Sequence, residues 1–171
     1  IDVEKNKRIS LVYRFQLSVG ADYTLRYDIY GGGEVRVSAD YQPTAEGIEL
    51  IPKFGMRMRL PVDYQDMEYY GRGPWENVRW MELSSKSHTL RIDGHQPLCI
   101  RAWDYAEEDL TVRHSYELNR GKFVNLNIDL NIHGVAGVDT WGGDALPQYT
   151  INGNQPHHYA FTMRIVPKES R

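Results

Sequence analysis

Seven carboxylates stand where side-chain chemistry is worth weighing: Glu76, Glu82, Glu107, Glu108, Asp109, Asp139 and Asp144. The run Glu107-Glu108-Asp109 reads as the solvated start of a short helical turn, since clustered acids complement the positive end of a helix dipole. None of the seven is assigned a catalytic role. Asp139 and Asp144 flank Trp141 in a glycine-rich loop, residues 134–144, whose backbone is free to turn sharply and present side chains outward. A sugar site uses such parts: an indole offers a flat apolar face to the C–H side of a ring, and carboxylates accept hydrogen bonds from its hydroxyls. A purely structural reading also fits, with Trp141 capping one end of a core and Asp139 bracing the loop turn.

The other tryptophans read differently. Trp103 and Trp80 sit in apolar runs and are expected in the core. Trp75, after Pro74, fits packing against a neighbouring domain, and Glu76 and Asn77 beside it share that surface as a turn held by side-chain to backbone hydrogen bonds. The six histidines are dispersed, and the adjacent pair His157-His158 points to opposite faces if it lies on a strand, so no metal site is expected. No serine or cysteine occupies a nucleophile motif, and no phosphate-binding loop or cofactor box occurs. The lone cysteine, Cys99, lies between Leu98 and Ile100 and reads as a buried, inert thiol.

These side chains need a scaffold, and the periodicity supplies one. Tyr13, Phe15, Leu17 and Val19 alternate with polar residues, as do Tyr23, Leu25, Tyr27, Ile29 and then Val35, Val37, Ala39, Tyr41. A period of two predicts half-buried strands, here a three-strand meander whose second turn is Gly31-Gly32-Gly33. The stretch 123–133 alternates Val124, Leu126, Ile128, Leu130, Ile132 against Asn125, Asn127, Asp129, Asn131, and a closing strand over Tyr159–Ile165 ends at Pro167. Further strands are expected at 55–60, 66–70, 90–93 and 99–103, with one helical turn at 106–110. The 171 residues, 41% hydrophobic, fit a single domain over 1–171, and the fold class is all-β, a large antiparallel β-sandwich. A net charge of −3 without blocks of one sign argues against nucleic acid and against a membrane surface as partners. No apolar stretch is long enough to span a bilayer, residues 1–8 are too charged for a secretory signal, and the compartment stays open.

One segment carries a family resemblance. Tyr70-Gly71-Arg72-Gly73-Pro74-Trp75-Glu76-Asn77 resembles the Tyr-Gly-x-Gly-Pro-x-Glu-Asn signature in the last domain of family 2 β-galactosidases. Leu126-Asn127-Ile128-Asp129 and Gly134-Val135-Ala136-Gly137-Val138-Asp139-Thr140-Trp141 resemble that domain's later motif pair. The resemblance implies the galactose mutarotase-like supersandwich fold and a C-terminal piece of an enzyme that hydrolyses terminal β-galactosides. Retaining hydrolysis needs two carboxyl groups about 5–5.5 Å apart across the scissile bond, and the resemblance implies that both come from another domain, a barrel. It also implies that Trp141 packs against sugar, that Mg2+ and Na+ serve the full-length enzyme, and that the chain partners with its own preceding domains and a homo-oligomer. Two departures stand out. Asn77 runs directly into Val78 where relatives carry a further stretch, so residues are expected to be missing at that junction, and Val138 replaces a frequent acid. Two alternatives are a stand-alone carbohydrate-binding module, on the strength of the aromatic content and loop tryptophan, and an aldose mutarotase-like enzyme, on shared fold alone.

Overall fold

The computed structural model describes residues 7–61, 63–64, 66–70, 76–112, 114–118, 120–135 and 141–168, with backbone only for 66–70 and 115. Among the described residues nine strands alternate with loops: β1 Arg8–Leu17, β2 Ala21–Tyr30, β3 Glu34–Pro43, β4 Lys53–Pro61, β5 Asp66–Tyr70, β6 Val78–Ser84, β7 His88–Trp103, β8 Phe123–Ile132 and β9 His157–Pro167. Every pairing is antiparallel. Seven strands form one layer in the order β1-β2-β3-β9-β7-β6-β5, and β8 joins the far half of β7 to β4 in a second layer.

β7 belongs to both layers. Its first half, through Gly94, pairs with β9, and its second half, Cys99–Trp103, pairs with β8. The transfer needs a tight passage, and at Gly94 a Cβ would stand 2.5 Å from the Gln96 carbonyl oxygen. The expected strands at 90–93 and 99–103 are therefore two halves of one. The expected helical turn is a 3-10 turn, Glu107–Thr111, where the Asp109 carboxylate accepts a hydrogen bond from the Ala106 amide.

The core lies between the layers. Tyr159 and Phe161 from β9, Val37 from β3, Met81 from β6 and Leu126 and Ile128 from β8 are almost wholly buried. Phe54 of β4 meets Tyr23, Tyr41 and Tyr159 edge-on at 5.5–6.2 Å between ring centroids, so one aromatic cluster ties β2, β3 and β9 to the second layer.

Two expectations are corrected by the way the layers overlap. β1 is exposed along its whole length, its apolar row included, because the second layer does not reach over it. Conversely, Asn125, Asn127 and Asp129 on the polar side of β8 are buried, because the segment containing the 3-10 turn folds across them.

Candidate functional site

The loop after β8 begins as a continuation of the strand. His133 donates its amide to the Pro52 carbonyl and Gly134 donates its own to Tyr149, which draws the return segment 145–149 alongside. Gly134 is required by that approach, since a Cβ there would lie 2.9 Å from the Cβ of Tyr149. Val135 beside it is 97% exposed. Gly142 holds a φ of +89°, a left-handed conformation that glycine adopts without strain. Trp141 just before it is 92% exposed, and Asp144 is exposed on the same loop. The structural reading of Trp141 as a cap on the core therefore fails.

A cavity of about 560 Å3 opens at this end of the sandwich. The Trp141 loop contributes Gly134, Val135, Ala145 and Leu146 to its wall, and Glu76 and Asn77 contribute from the other side. Asn77 has a φ of 53°, a left-handed conformation that asparagine tolerates better than most residues. Cys99 also lines the cavity, and burial first, then the nearby Glu76 charge, pushes its thiol upward, away from a reactive thiolate. The fold thus brings Glu76 and Asn77 to the cavity that the Trp141 loop walls. Trp75 and Asp139 lie outside the described residues. Trp80 and Trp103, expected in the core, are only partly covered, and the Arg91 guanidinium stacks over Trp80 at 4.0 Å.

A second polar cluster escaped the sequence reading. Glu107, taken there as a solvated acid, bonds Lys53 Nζ at 2.6 and 2.8 Å and accepts from Asn127 Nδ2 at 2.8 Å, while Arg101 lies between it and Asp129 at 3.4 and 3.5 Å. Burial pushes Glu107 up, but Lys53, Arg101 and Arg57 more than offset this and hold its carboxyl below the usual range. Asp129 is 0% exposed, and burial pushes it up to about 6 against the pull of Lys53 and Arg101. The cluster fastens the 3-10 turn to β8 and β4. The signal was the polar alternation Asn125, Asn127, Asp129, which tells which residues share a face but not that another segment covers it.

The raised Asp129 carboxyl has a pH signature. Its folded value lies above the ordinary 3.8, so the stability it contributes is complete below about pH 4 and is lost as pH rises through about 6. Urea unfolding should therefore show the parent losing ground to Asp129→Asn between pH 4 and 6.5 and holding a constant difference above pH 7; a difference flat across the range contradicts the burial account.

The family model described as beta galactosidase small chain matches residues 2–78 and 76–165, two blocks that overlap at residues 76–78. A β-galactosidase of Halalkalibacterium halodurans is 22% identical across 95% of this chain and 20% of its own length, and one of Lactobacillus delbrueckii subsp. bulgaricus is 23% identical across 89% and 18%. A β-galactosidase small subunit of Latilactobacillus sakei is 24% identical across 92% of this chain and 64% of its own. The chain spans about a fifth of the length of the first of these curated relatives. Among solved structures, an Escherichia coli K12 protein described as an aldose 1-epimerase superposes with a TM-score of 0.51 at 10% identity, over 95% of this chain and 66% of that one. That likeness shows the mutarotase-like fold alone.

Proposed function

The chain belongs to the β-galactosidase small-chain family, and from that premise we propose that it is the C-terminal sandwich of a family 2 glycoside hydrolase that releases terminal β-galactosides. In this reading the sandwich supplies no catalytic carboxylate. Trp141 walls the substrate pocket, its indole lying against the C–H face of the galactose ring, and Asp144, and in this reading Asp139 also, would accept hydrogen bonds from sugar hydroxyls. The observation that carries the reading is the exposure of Trp141 on a loop whose two ends wall a cavity.

Glu76 and Asn77, with Trp75, form the packing surface toward a neighbouring domain of the same chain, and the complete enzyme assembles as a homo-oligomer. The family's further stretch after Asn77 is absent here. Among the described residues no three of His, Cys, Asp or Glu group to hold an ion. The Mg2+ and Na+ that the reading implies belong to the complete enzyme, and no step is routed through them. Glu107 and Asp129, engaged with Lys53 and Arg101, are framework rather than acid and base. The test is kinetic: with Trp141→Ala in the complete polypeptide, the galactoside KM rises, and a KM equal to the parent's overturns the reading.

A further inference from the structure

Trp141 is 92% exposed, so the core does little to fix where its indole stands. That task falls to the two feet of its loop, residues 133–134 where the chain leaves β8 and residues 149–151 where it returns. Both feet are tied to the stretch just ahead of β4: His133 donates its amide to the Pro52 carbonyl at 2.9 Å, and the Ile51 amide donates to the Ile151 carbonyl at 2.8 Å. Ile151 is 3% exposed and belongs to the core cluster, which sinks the returning foot.

The feet also bond each other. The Gly134 amide donates to the Tyr149 carbonyl at 2.6 Å, and the Gly134 carbonyl accepts from His133 Nδ1 at 2.8 Å, so both polar backbone groups of this residue are held. Opposite it, the 3-10 turn Pro147–Tyr149 presents the Tyr149 carbonyl, and the Thr150 hydroxyl steadies that turn by donating to the Pro147 carbonyl at 2.8 Å.

This closure requires glycine for space rather than for backbone angle. The φ of Gly134 is not left-handed, so alanine could adopt it, but a Cβ would stand 2.9 Å from the Tyr149 Cβ and 3.1 Å from the Tyr149 carbonyl oxygen. Ordinary carbon contacts lie at about 3.5–4.0 Å, so the feet would have to part by roughly 1 Å. Trp141 stands seven positions after Gly134 and eight before Tyr149, near the tip of the loop. A shift at the base of a loop closed in this way is carried to its tip, and a misplacement of about 1 Å weakens a substrate contact even when the change lies away from it.

We propose that Gly134 is a positioning residue for galactoside binding: by letting the two feet close to a direct amide-to-carbonyl bond, it sets where Trp141 meets the sugar ring. The proposal rests on the reading of Trp141 as the wall of the galactoside pocket. Gly134 touches no substrate and acts only through the indole. Its loss therefore costs no more than loss of the indole itself, and costs nothing once the indole is gone.

A double-mutant cycle on the complete polypeptide, assayed with nitrophenyl β-galactoside, tests it. Gly134→Ala should raise KM by roughly threefold or more, up to the full effect of Trp141→Ala, with kcat within about twofold of the parent; in a Trp141→Ala background it should change neither. Thr150→Val, which removes only the hydroxyl that steadies the Tyr149 turn, replaces Gly134→Ala in the same cycle if that variant does not fold. In the unmodified protein the Gly134 amide should exchange with deuterium at least tenfold more slowly than a free chain. A parent-like KM in Gly134→Ala, effects that add in the double variant, or free-chain exchange at Gly134 overturns the proposal and leaves the functional reading standing. A parent-like KM in Trp141→Ala alone is the distinct failure: it overturns the functional reading, and the proposal with it.

Discussion

Replacing Trp141 by alanine in the complete polypeptide is expected to raise the galactoside KM by roughly tenfold to thirtyfold while leaving the unfolding temperature unchanged. The magnitude follows from area. A tryptophan can bury about 150–250 Å2, and stacking one indole face on a ring removes on the order of a third of that from water. At about 25 cal/mol per Å2 this is on the order of 2 kcal/mol, and each 1.36 kcal/mol is a factor of ten. The loss falls on KM because the contact is made away from the bond being broken and holds ground state and transition state alike. Stability is spared because an indole that is 92% exposed contributes little to the core. A Trp141→Phe enzyme should fall between the two, keeping an aromatic face of smaller area.

The largest effect on folding is expected at Gly55. It sits in β4 at the register shift between Phe54 and Gly55, opposite Asp129. A Cβ there would run into the carboxylate and Cα of Asp129 and stand 2.7 Å from the Ile128 carbonyl oxygen. The obstacles are largely backbone of the buried strand β8 and cannot swing aside. Gly55→Ala should therefore cost roughly 3 kcal/mol, the upper end for overpacking, and lower the sandwich's unfolding temperature by about 6–12 °C. Gly32→Ala is the control, because nothing lies within 4 Å of the added methyl and its φ is not left-handed. Equal stability of the two variants would mean that β4 and β8 are not so closely apposed.

Period-two alternation located strands where both neighbours in the sheet are regular. β8 came within a residue of its bounds and β9 within two, and the β1–β2–β3 meander was legible for the same reason. β6 was not, because its apolar phase slips between Trp80 and Met81 near the register irregularity at Val78/Trp80, and a broken period gives no strand signal. The continuity of β7 was hidden by its passage between layers at Gly94, which reads locally as a turn. Alternation also says which side chains share a face and nothing about what lies above them. It could not tell that the apolar row of β1 lacks a covering layer, or that Asn125, Asn127 and Asp129 are roofed by residues some twenty positions earlier. At the candidate site, the glycines and Trp141 marked the loop in the sequence. The cavity did not show there, because it forms only when Glu76 and Asn77 are brought opposite the 134–146 segment by strands remote from both.

The central claim is that this sandwich serves galactoside hydrolysis as part of a longer chain. Its most direct test is hydrolysis of nitrophenyl β-galactoside by the complete polypeptide, with nitrophenyl β-glucoside and α-galactoside for comparison. The account predicts turnover of the β-galactoside well above the other two and its loss when residues 7–168 are deleted. Absence of β-galactoside turnover in the folded, complete polypeptide, or full turnover after the deletion, would contradict it.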